Sequence, residues 1–167
     1  MILWLAALAA PAAEPPAPRW PMTSWAQVDR AEFDRDGRLV KCTTATFGPV
    51  PPDTGSFCEE VPDMPPAVFD LLRGDRVGKP FAVLAETNFG VAGTPSYPPE
   101  YGRANHSLRG LASSRFTVSG DGTAHDCTLA EAKGPHQLAL SACRHLRAFE
   151  AGSGERSATL LMAFSVE

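Results

Sequence analysis

The stretch Arg115–Cys127, RFTVSGDGTAHDC, decides the reading of this chain, because it is written twice. Its earlier copy is AEFDRDGRLVKC, Ala31–Cys42. In both, an Asp-Gly pair follows a run of alternating apolar residues, and a cysteine stands five residues after the glycine. A second cysteine follows each first one at the same interval, Cys58 after Cys42 and Cys143 after Cys127. Asp-Gly supplies the positive φ that a tight hairpin requires, so each copy predicts strand, turn, strand. Asp36 and Asp121 are therefore read as turn residues and not as acid–base groups.

The duplicated cysteine spacing favours one of the three possible connectivities, Cys42–Cys58 with Cys127–Cys143. Each bridge would close a loop of about 17 residues, worth on the order of 3 kcal/mol in the chain-entropy model. Four cysteines at repeated spacing suit an oxidising compartment. Residues 1–13, MILWLAALAAPAA, have the short apolar run and small-residue end of a secretory signal peptide, too short to span a bilayer. No cysteine follows that run, which argues against a lipid anchor.

The 167 residues carry 44% hydrophobic and 20% charged side chains, the composition of a folding globular protein. A net charge of −4 offers no basic field for nucleic acid. Punctuation by Pro and Gly divides the chain into the signal, a Pro-rich spacer (14–22), a first unit (23–88), a linker (89–99) and a second unit (100–167). In the second unit Phe116 and Val118 share one strand face, and Cys127 and Leu129 share a face of the returning strand. Leu138, Ala142, Leu146 and Phe149 recur at helical spacing, and TLLMAFSVE closes the unit as a strand. The first unit follows the same plan with an extra helix over PPAVFDLLRG, Pro65–Gly74, and a closing strand in GKPFAVLAET. The expected fold is thus α+β: two tandem small units, each a short antiparallel sheet with a helix on one face and an internal disulfide.

YPPEYGRA (Tyr97–Ala104), GLASSRFTVSGDGTAHDC (Gly110–Cys127), LALSACRHL (Leu138–Leu146) and ATLLMAFSV (Ala158–Val166) together resemble the cysteine-containing variety of TonB C-terminal domains. The resemblance covers about 70 residues of the second unit and reaches the first, degenerate copy through the repeat. It implies a periplasmic, non-catalytic interaction module without cofactor. Such a module offers an edge strand to an outer-membrane transporter segment, or binds cell-wall material. The implied edge strand comprises Thr159, Leu160, Leu161, Met162, Ala163, Phe164, Ser165 and Val166. Two departures matter: no spanning helix precedes the units, and the proline expected after Phe149 is replaced by Glu150-Ala151. Both favour a protein that binds over one that energises transport.

Other chemistry is weaker. Two cysteines with His136 and His145 match no zinc-ligand spacing, and the first unit's cysteines have no histidine nearby. Ser153 in AGSGE lacks the G-x-S-x-G elbow. Glu59, Glu60 and Asp63 form an acidic loop after Cys58, the place for a small enzyme or enzyme-inhibitor site if the chain carries one. Trp20 and Trp25 are expected to pack the opening strand onto the core, with an exposed stacking pair as the alternative.

Overall fold

The two Asp-Gly stretches form hairpins with the same hydrogen bonds. A computed structural model describes residues 18–99, 106–134, 143 and 148–167. In the first hairpin Asp34 N–H donates to the Arg38 carbonyl (3.0 Å) and Gly37 N–H to the Asp34 carbonyl (3.1 Å). In the second, Ser119 N–H donates to Thr123 (3.0 Å) and Gly122 N–H to Ser119 (2.9 Å). Gly37 and Gly122 hold φ of 79° and 87°, the left-handed region that only glycine enters without strain.

Six strands result: β1 Trp25–Phe33, β2 Leu39–Phe47, β3 Phe81–Val91, β4 Ser107–Val118, β5 Ala124–Lys133 and β6 Arg156–Val166. Between β2 and β3 lie α1 (Phe57–Glu60), a 3-10 turn (Val61–Asp63) and α2 (Pro66–Arg73). Gly74, φ 56°, ends α2 by donating its N–H to the Asp70 carbonyl. The interval from second cysteine to closing strand is longer in the first copy (Cys58 to Phe81) than in the second (Cys143 to Arg156), and α2 occupies the excess. Both expected disulfides are present, Cys42–Cys58 and Cys127–Cys143. Among the described residues no helix is long and apolar enough to cross a membrane.

The arrangement of the strands corrects the tandem-unit expectation. They form one antiparallel sheet in the order β2-β1-β3-β6-β4-β5. Each copy contributes a hairpin and a closing strand, and the two closing strands pair with each other from Val83↔Val166 to Val91↔Ala158. The physical reason lies in β3. Phe81-Ala-Val-Leu-Ala-Glu86 is buried at every position, as only a strand covered on both faces can be. Read as the border of a separate unit, it would expose that surface and a row of unpaired backbone groups.

One face carries the core in two clusters. The first gathers Trp20, Trp25 and Phe89 with Phe116, Phe149 and Leu160; the second gathers Phe33, Phe57, Leu72 and Phe81 with Val83 and Val166. Residues of both copies enter each cluster, so neither half has a core to itself. Within 14–22, Trp20 and Met22 join the core. Trp20 is buried, its ring edge-on to Trp25 at 5.3 Å, and its backbone N–H donates to the Ala148 carbonyl (2.9 Å). Phe89, Gly90 and Val91 belong to β3, so the connector begins later than residue 89. The expected signal peptide (1–13) lies outside the described residues, as does the predicted helix except for Cys143, Ala148 and Phe149.

The two hairpin glycines have unequal surroundings. A Cβ at Gly37 would meet only the Phe69 ring, at 3.1 Å, whereas one at Gly122 would collide with the Phe149 carbonyl. Gly37→Ala is expected to cost about 1 kcal/mol and Gly122→Ala roughly 3 kcal/mol or more, read from urea midpoints.

At the far end of the sheet the Glu167 carboxylate accepts from Arg30 (2.8 Å) and meets His106 Nε2 (2.8 Å). The Arg30 hydrogen bond, against a smaller opposing effect of burial, holds the Glu167 carboxyl below the usual range. A depressed carboxyl stabilises the fold above its unfolded pKa and loses that contribution as pH falls through the folded one. Glu167→Gln is therefore expected to lower stability at neutral pH and to flatten its decline between about pH 5 and pH 3, followed by denaturation at stepped pH.

Candidate functional site

The strand singled out from sequence as a partner-binding edge, Thr159 to Val166, lies in the middle of the sheet. It is β6, paired with β3 on one side and β4 on the other. Its backbone groups are committed to those ladders, and Leu160, Ala163, Ser165 and Val166 are buried. The borders of the sheet are the two outermost strands, β2 and β5.

These two edges differ. β5 departs from regular register with β4 twice, and in the second departure Asp126 sits at φ 55°, strained for a non-glycine residue. Its residues include His125, Asp126, Glu131 and Lys133, charges that discourage a further strand. β2 departs once, beside its hairpin, where Val40 is the extra residue. From Lys41 to Phe47 it pairs with β1 without interruption and carries one charge. Nearly all of β2 is exposed, with Val40 at 67% and Phe47 at 42%.

β2 is also firmly seated. Cys42 ties it to α1 through Cys58, and Thr44 Oγ1 donates to the Asp29 carboxylate on β1. Asp29 is buried at 3% exposure and accepts further from Ser56 Oγ (3.0 Å), Phe57 N–H (2.8 Å) and Gln27 Nε2 (3.1 Å). Ser56 in turn caps α1, accepting from Cys58 N–H at 3.1 Å. One carboxylate thus joins the edge strand, its neighbour and the first turn of α1. Nothing in the hairpin motif marks this residue, but its position does. Gln27 and Asp29 alternate with Trp25, Ala31 and Phe33 on the inward face, and a polar residue on that face requires partners.

A second feature lies over β6 and the start of β4. α1, the 3-10 turn and α2 form one wall of a cleft of about 580 Å³, floored by Phe164 and Gly110. Phe57, Met64, Val68, Leu71 and Leu72 supply its apolar lining, and the predicted acidic residues Glu59, Glu60 and Asp63 all border it. Arg109 also lines it, with Nη2 on Asp75 at 2.9 Å and the guanidinium lying against Gly74. That hydrogen bond holds the Asp75 carboxyl below the usual range.

Comparison with protein-family models, curated proteins and solved structures finds no match to this chain. The site rests on its own geometry.

The remaining sequence candidates fall elsewhere. Trp20 and Trp25 are core residues. Tyr97 anchors the connector: its carbonyl accepts from Asn88 Nδ2 (2.9 Å) and its ring faces Phe47 at 5.9 Å. Tyr101, His136 and His145 lie outside the described residues. Among the described residues no group of three or more His, Cys, Asp or Glu is placed to hold a metal ion.

Removing the Asp29 carboxylate leaves the buried Phe57 N–H and two hydroxyl donors without their acceptor. Asp29→Ala is expected to cost roughly 3 kcal/mol or more and to speed hydrogen exchange at the start of α1 and along β2, whereas Asp36→Ala on the exposed turn should cost about 1 kcal/mol or less.

Proposed function

We propose that the chain is an exported, non-catalytic binding protein of the bacterial periplasm that receives an extended segment of an envelope partner along β2. The observation that carries this reading is the contrast between the two edges. β5 is broken by irregular pairing and guarded by charges, whereas Lys41–Phe47 is a regular, exposed run with a single charge. An unprotected edge of that length recruits another strand, and natural sheets leave one open where pairing is intended.

Export is supported by the two disulfides and by the signal-like first residues. Strand addition is the mode implied by the resemblance to TonB C-terminal domains, transferred here from the closing strand to β2. The partner's alternate side chains would meet Lys41, Thr43, Ala45 and Phe47 on one face and Thr44 and Thr46 on the other. The Thr43 and Thr46 hydroxyls and one aromatic ring would then read the added strand, while Thr44 stays bound to Asp29. The bridge and the Asp29 hydrogen bonds keep the edge in shape before the partner arrives, which lowers the ordering cost of binding.

A photo-crosslinking residue at Thr43 is expected to yield a discrete adduct in intact envelopes. Its cross-linked peptide should map to an extended segment of one envelope protein, and Ala45→Lys in the same chain should abolish it. The same probe at Thr128 of β5 should yield none. Equal adducts from both strands, or capture of glycan alone, would overturn the reading.

A further inference from the structure

We propose that the cleft beside α2 binds a small amphiphilic cation, an aliphatic or aromatic body ending in an ammonium or guanidinium group. This site is separate from the β2 edge and does not depend on its role. Three features of the cleft specify the ligand.

The first is its size and lining. A volume of about 580 Å³ falls within the roughly 300–1,000 Å³ of pockets that enclose small organic ligands. The second is the state of its wall. α2 buries Leu72 in the core and packs Phe69 against it, so the helix is already held. Val68 and Leu71 are left 39% and 49% exposed, and both line the cleft. An apolar ligand covering them gains from removing that surface from water.

The third is charge. Glu59, Glu60 and Asp63 stand exposed at the cleft and form no ion pair among the described residues. Arg109, the cation that faces them, is engaged by Asp75 and folded against the end of α2. The mouth is therefore negative above an apolar floor. A fatty-acid-like anion meets like charge there, and a metal ion gains nothing from the hydrocarbon lining. A cationic head on an apolar body satisfies both parts. Because the carboxylates are solvated, the apolar contact supplies most of the affinity and the charges supply selectivity that fades with salt.

The test is titration of the full chain with decylammonium and with decanoate, below micelle-forming concentrations, followed by calorimetry and by methyl NMR shifts. Decylammonium is expected to bind saturably, about tenfold tighter than decanoate at low salt, with shifts confined to Met64, Val68, Leu71 and Leu72. Glu59→Gln with Glu60→Gln and Asp63→Asn should erase most of that preference while chain-dependent binding persists. Leu71→Asp should weaken both ligands several-fold. Val68→Asp, on the same wall, should do the same, and unchanged near-ultraviolet dichroism would confirm that each variant is folded. Equal affinity for the two ligands, shifts scattered over the surface, binding untouched by either Asp variant, or no saturable binding would each overturn the proposal.

Discussion

The pairing of β3 with β6 is the constraint from which the rest of the molecule follows. β3 opens with a run that is buried on both faces, and such a strand is stable only inside a sheet, where β6 pairs with it. Joining the two satisfies both at once. It turns two open borders into the centre of one sheet and lets Phe89 and Val166 pack with residues from the other half. It also determines what remains outside. Once the closing strands are consumed, only the second strand of each hairpin is left at a border, and the centre of the sheet becomes the floor over which the helices lie.

The repeat was legible because its determinants are local. Asp-Gly turns, glycine conformations and cysteine intervals depend on a few neighbouring residues, and both hairpins and both bridges appear where those residues stand. α2 was legible for the same reason, with Pro65 and Pro66 at its start and Gly74 at its end. The single sheet was written in a different signal, the unbroken apolar run Phe81–Ala85, which indicates burial on two faces. That run was compatible with a closing strand in either architecture, and only a count of covered faces separates the two. The acidic loop was recognised as a group of charges, but its relation to Val68, Leu71 and Phe164 depends on contacts between distant segments. Asp29 illustrates the middle case. Its inward register could be read from the alternation in β1, whereas its donors come from β2 and from the loop before α1.

Duplication accounts for the framework and drift accounts for the features that distinguish one half from the other. The same turn is covered by the Phe69 ring in one copy and by the Phe149 backbone in the other. The same border strand departs from register once, beside its turn, in one copy and twice in the other. The added residues that became α2 brought an apolar surface larger than the core requires. The β2 edge and the helical wall of the cleft belong to the first half, the one that departs further from the shared plan, while the cleft floor comes from the second.

Both disulfides are internal to a half, and none of them spans the β3–β6 seam. The two halves are linked covalently only through the connector after Val91, which rejoins the sheet at β4. A protease that severed that connector would leave a complex of two chains, each with its own bridge, held by the central ladder and the shared aromatic clusters. Such a nicked protein would run as two bands once denatured, reduced or not, while behaving in native solution as one body.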